Sequence, residues 1–254
     1  MKRLGILWRR FLRVLLALVS AAIICFCAGS SLSQSVQHPH TPAGSSSTLV
    51  NVQELAMPPK AFRAYQKGSE LLRKHESQAS LVHFQRAIQL APGLFPAYHN
   101  LALAFFELGR LDDALKNFQK AIELSKGSFA PSFFTLAMIL YQRGQFAEAQ
   151  GIVQQGLLAD PQSAVGRYSL GLTQYSLGQT ADAQRNALEA LRIDPQIAVA
   201  YLLLAHVHER LRDPNAVIAD VAAYSQGTSD NALQADALAL LERAQRDLAR
   251  ASVN

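Results

Sequence analysis

A 34-residue rhythm runs through most of the 254-residue chain, and it constrains the fold more than any other feature. Leu101-Ala102, Leu136-Ala137, Leu170-Gly171 and Leu204-Ala205 follow one another at steps of 35, 34 and 34 residues. Gly109, Gly144 and Gly178 keep the same step, as do Ala114, Ala149 and Ala183. Ala91-Pro92, Asp160-Pro161 and Asp194-Pro195 punctuate the period. A unit of this length cannot bury an apolar face alone; stacked neighbours must cover it.

Each recurring residue has a physical task. The small side chains Gly68, Ala102, Ala137, Gly171 and Ala205 let a paired helix approach closely, and Ala114, Ala149 and Ala183 do so from the second helix. Phe84 and Phe118 are placed to fill the space between units. The mid-unit glycines stop the first helix, where a left-handed residue is needed. The prolines end the second helix. Units are predicted near 61–94, 95–129, 130–163, 164–197 and 198–228, with a final helix over 229–251. In that helix Leu233, Ala237, Leu240, Ala244 and Leu248 form one apolar stripe, and Gln234, Asp236, Glu242, Arg243, Arg246 and Asp247 form a wet far face. Ser229 or Asp230 is its expected cap. The fifth unit lacks a turn glycine and has Arg212-Asp213-Pro214 instead, with Asp213 as the expected cap. Lys126 and one extra residue are expected to loosen the joint after the second unit.

The pattern resembles the tetratricopeptide repeat family, most plainly over 97–124 (AYHNLALAFFELGRLDDALKNFQKAIEL) and in phase from 61 to about 225. The resemblance implies an all-α, right-handed superhelical solenoid of about five helix-turn-helix units with a C-terminal capping helix. It also implies a non-enzymatic scaffold that takes a protein or peptide ligand along first-helix positions two, five, nine, twelve and thirteen. The partner-binding set carried over in this way is Tyr65, His99, Phe106, Phe134, Met138, Tyr141, Tyr168, Tyr175 and His206. Leu172, Ser176, Glu209 and Arg210 occupy the same register. The rival reading is that these rings pack against neighbouring helices. A clamp for acidic chaperone tails is not expected, because its positions hold Tyr65, Ser69, Pro131 and Phe134, and only Asn100 fits.

Residues 1–33 read as an address. Lys2, Arg3, Arg9, Arg10 and Arg13 precede the apolar run Val14–Cys27, the pattern of a secretory signal. The rival is an uncleaved anchor near residues 11–29, tethering the protein to the inner membrane. Either way the bulk is expected on the periplasmic or extracellular side. Residues 34–58, rich in Ser and Pro, read as a flexible linker. Residues 52–61 (VQELAMPPKA) are similar to the lead-in of some exported bacterial tetratricopeptide proteins.

Charge and composition exclude several function classes. Setting aside the five leader cations, 19 basic residues face 19 acidic ones, so no nucleic-acid-binding face is implied. Cys25 and Cys27 are the only cysteines, so the repeats hold neither disulfide nor thiolate metal site. No phosphate loop, nucleophile elbow or His-Glu-x-x-His motif is present, so no catalytic residue, cofactor or metal is expected. His206 and His208 lie two apart on one helix and should point to different faces, with His208 a hydrogen-bonded core residue. The alternatives to a groove-binding adaptor are a structural homo-oligomer and an accessory subunit of an envelope assembly, secretion or glycan-processing complex. The sequence leaves the oligomeric state open.

Overall fold

A computed structural model describes residues 58–227 and 233–251. The leader, nearly all of the linker and the expected Ser229/Asp230 cap lie outside the described residues. Eleven helices and no strand occur among the described residues: α1 Pro59–Arg73, α2 Ser77–Leu90, α3 Phe95–Glu107, α4 Leu111–Leu124, α5 Ala130–Gln142, α6 Phe146–Ala159, α7 Ala164–Ser176, α8 Thr180–Ile193, α9 Ala198–Arg210, α10 Pro214–Gly227 and α11 Gln234–Ala251. They form five pairs and a final helix, the all-α solenoid class expected from the period. None of them is long and apolar enough to cross a membrane. Packing divides the described residues into two compact units, 58–117 and 118–251.

The turns inside the pairs share one closure. After α3, the Arg110 N–H donates to the Phe105 carbonyl at 2.9 Å and Gly109 donates to Phe106 at 3.0 Å. The same two bonds recur after α5, through Gln145 and Gly144, and after α7, through Gln179 and Gly178. This closure needs a left-handed residue, and Gly109, Gly144 and Gly178 sit at φ of 74°, 75° and 79°. The first and fifth pairs make the same turn without glycine: His75 is at 59° and Arg212 at 60°. Asp213 then caps α10 as expected, accepting from the Ala216 N–H at 3.0 Å. α10 is fully formed behind Pro214. The extra residue after α4 is absorbed in a hydrogen-bonded turn rather than left as slack: Gly127 donates to Ile122 at 2.9 Å, and the Ser128 hydroxyl to the Ser125 carbonyl at 2.7 Å.

The small residues do the work expected of them. A Cβ at Gly171 would lie 3.1 Å from the Ala183 carbonyl oxygen of α8. A Cβ at Gly68 would lie 2.8 Å from the Phe84 ring, so Phe84 fills a slot in its own pair rather than only the space between units. In the second unit, Tyr168, Leu202, Leu203, Val217, Val221, Tyr224 and Leu240 build a continuous core from α7 to α11.

Candidate functional site

The nine residues of the expected binding set divide by burial. His99, Phe106, Phe134 and Tyr168 are buried, whereas Tyr65, Met138, Tyr141, Tyr175 and His206 are partly open. The first four belong to the core, as the rival packing reading had it, and cannot meet a partner in this conformation. Phe134 shows the cause. Cβ atoms on Gly156 of α6 and Gly166 of α7 would each fall 2.6 Å from its ring, so two glycines form a slot that draws the ring inward. Burial lowers the His99 imidazole pKa to about 3, so the ring is neutral. Burial pushes the Tyr168 phenol far up.

In the first unit, Tyr65 is tied into the fold. Its ring leans on Phe84 with centroids 6.2 Å apart, and its hydroxyl accepts from the Asn100 amide at 3.2 Å. The same amide reaches the Ser69 hydroxyl at 3.2 Å. Asn100, the one residue matching the acidic-tail clamp, therefore spends its amide hydrogens inside the protein.

In the second unit, α5 and α7 border a shallow cleft with about 20 Å³ of enclosed space. Ala137, Val153 and Thr173 form a buried floor; Met138, Tyr141, Ser169 and Leu172 are the half-open walls. The polar groups are mostly turned inward. The Ser176 hydroxyl donates to the Leu172 carbonyl at 3.1 Å, so Tyr141, 2.7 Å from Ser176 Oγ, is the donor in that bond. The Thr173 hydroxyl donates to the Leu170 carbonyl at 2.8 Å. Burial raises the Tyr141 pKa, opposed by the Ser176 bond and reinforced by Tyr175. The cleft thus offers a largely apolar surface beside Tyr141.

A ladder of contacts continues from the cleft to the end of the chain. Tyr141 meets Ser176, Tyr175 meets Arg210, and Glu209 meets Arg243, at separations of 35, 35 and 34 residues. The Arg210 guanidinium lies 3.7 Å above the Tyr175 ring and donates to the Tyr175 carbonyl at 2.9 Å. Arg243 pairs with Glu209, and His206 Nε2 lies 2.8 Å from Asp236 Oδ2. The final helix therefore meets α9 at the repeat step through Arg243, 34 residues from Glu209, and off that step through Asp236, 30 residues from His206. Asp236 and Arg243 reach back to α9 instead of lying on the wet face assigned to them. Burial tends to raise the Asp236 carboxyl, but the hydrogen bond and charge of His206, with Arg243, outweigh it and hold the pKa below its usual value. His208 points elsewhere, as its two-residue offset from His206 requires: Nδ1 lies 2.6 Å from Asp220, and Nε2 lies 3.0 Å from the Gln184 amide. Asp220 itself is pushed up by burial, against the opposing His208 bond. No cluster of His, Cys, Asp or Glu able to hold a metal ion occurs among the described residues.

Residues 65–129 and 105–168 each match the tetratricopeptide repeat family. Residues 65–168 of this chain are thus tetratricopeptide repeats. Among curated tetratricopeptide relatives, Hsp70-Hsp90 organizing protein 1 of Glycine max is 28% identical over 111 residues, 44% of this chain and 19% of that protein. The chain thus spans about a fifth of the length of the curated relatives it matches. Among solved structures, PilW, a type IV pilus biogenesis factor, is 21% identical with a TM-score of 0.67, over 77% of this chain and 89% of that one. YrrB, a tetratricopeptide protein with an unusual peptide-binding site, is 16% identical with a TM-score of 0.55, over 73% and 95%. At these identities the likeness is one of fold. Of the ladder partners, Asp236 and Arg243 were least visible as a site in the sequence, where they fell on the polar face of the final helix, whereas Arg210 stood in the inner-face register. Arg243 carries the signal of a 34-residue step from Glu209, continued past the last recognisable repeat, whereas Asp236 lies 30 residues from His206 and follows no repeat step.

Proposed function

We propose that this tetratricopeptide-repeat protein is an exported, non-enzymatic adaptor that holds a peptide or helix of a partner protein in the α5–α7 cleft. The observation that carries the reading is the pairing of half-open Met138 and Leu172 with a tyrosine hydroxyl, that of Tyr141, already bonded inward. Such a surface gains by burying apolar area and leaves few polar groups unpaired when a partner covers it. The basic, apolar leader of residues 1–33 supports export to the envelope, with residues 11–29 as a tether if it is retained. The lack of a converging acid and base in the motifs of the sequence supports a role without catalysis.

The binding test is site-specific. A photo-crosslinking residue at Leu172 should trap a partner protein in the native host, and one at Leu158, 85% exposed on α6, should not. No adduct at 172, or equal trapping at both sites, rejects the cleft. Protease added to intact spheroplasts tests export: the repeats should be digested from outside, and full protection rejects an envelope location.

A further inference from the structure

The cleft ends at a cation that has no acid. Tyr175 lies one turn beyond Leu172 on α7, and Arg210 stacks on its ring while donating one hydrogen bond to its carbonyl. The stack and the bond hold the guanidinium of this exposed residue in place. Two acids of α9 and α11 are engaged elsewhere: Glu209 pairs with Arg243, and Asp236 shares a hydrogen bond with the His206 ring. Among the described residues no carboxylate pairs with Arg210. Arg210 therefore stands one turn beyond the cleft as a cation without a carboxylate partner, held by a ring and a carbonyl before any ligand arrives.

We infer that the partner segment is an extended peptide bearing an apolar side chain for the Met138–Leu172 cleft and an Asp or Glu side chain for Arg210; the assignment rests on the groove reading proposed above. Three residues of helix rise roughly 5 Å, and an extended chain advances about 3.3 Å per residue. The acid accordingly falls about one to three residues from the apolar anchor. A planar guanidinium stacked on an aromatic ring suits a carboxylate approaching in its plane. This is not the acidic-tail clamp of the family, whose positions are filled otherwise here.

Random peptides displayed with both ends covalently continued, selected on the full-length chain, test the inference. The expected consensus is an apolar residue with Asp or Glu within three positions. Arg210→Glu should lose the acidic preference and bind wild-type-selected peptides at least about tenfold more weakly. Arg210→Ala, which removes the charge without reversing it, should lose the preference too and serves if the Glu variant changes the circular dichroism. A consensus without an acid, or an acid preference that survives both substitutions, overturns the inference while leaving the groove intact. Enrichment only when peptides are displayed with a free C-terminus also overturns it, because the carboxylate would then be a chain end. Failure to enrich any peptide overturns the groove reading and this inference together.

Discussion

Phe134 is held by what its neighbours lack. Gly156 and Gly166 are helical positions where alanine would raise intrinsic helix stability by about 1 kcal/mol. Each nevertheless leaves room for a ring that a methyl group would strike. Gly166→Ala should therefore destabilise the protein by about 1–3 kcal/mol in urea unfolding, against the propensity trend. Phe134→Ala should cost about 3–5 kcal/mol through the cavity it opens. A neutral Phe134→Ala would mean that the ring is a surface residue after all. Arg212 poses the opposite case, since a left-handed conformation strains a side chain that glycine would not carry. Arg212→Gly should raise stability by about 0.5–1 kcal/mol, after the entropy that glycine adds to the unfolded chain; a lower urea midpoint would contradict this. These two sites mark how far the residue scale was legible. Turn glycines and small interface residues were readable from position alone, because backbone geometry demands them. The inward turn of Phe134 was not, because it depends on two glycines distant in sequence that align only once the helices pack.

Among the helices, α11 differs most from its expected character. Its apolar stripe was legible and is largely buried, with Leu240 and Ala237 at its centre. Its polar face was read as uniformly wet, since amphipathic periodicity separates apolar from polar but cannot tell a solvated acid from one reaching a histidine. The Asp236–His206 and Arg243–Glu209 contacts dock this helix by its polar face as well, beyond the apolar stripe with which it covers the last pair. The pH dependence follows from Asp236. Its carboxyl pKa is depressed in the folded protein. Its contribution is therefore present at neutral pH, above the unfolded carboxylate value, and is lost as pH falls through the folded value. Asp236→Asn should lower stability at pH 7 by about 1 kcal/mol and flatten the acid limb below the ordinary carboxylate range. Amide exchange read along α11 is the direct measurement: faster exchange confined to 234–251 in the variant supports docking. An unchanged rate would leave the contact without energetic weight.

For the molecule as a whole, the period established the fold class because repeated packing tasks recur at readable positions. The binding surface was harder to read. Register places a side chain on the inner face but does not say whether a neighbour has already covered it, and four of nine residues were lost to the core for that reason. Repeat architecture also bears on how damage spreads. Stability in such chains is close to a sum of local terms and nearest-neighbour interfaces. Phe84 fills the Gly68 slot within residues 58–117, and Phe134 fills the Gly156–Gly166 slot within 118–251. Neither slot borrows a wall from the other. The combined Phe84→Ala, Phe134→Ala variant should therefore lose the sum of the two single losses to within about 0.5 kcal/mol, provided unfolding stays cooperative. Phe134→Ala with Gly166→Ala should behave differently, because removing the ring also removes what the added methyl would strike. The double variant should be more stable than the sum predicts by about 1 kcal/mol or more. Urea midpoints and slopes for these six proteins, wild type included, separate the outcomes. Strong coupling of Phe84 to Phe134 would mean that the two slots are structurally linked, and additivity of Phe134 with Gly166 would mean that the slot does not exist.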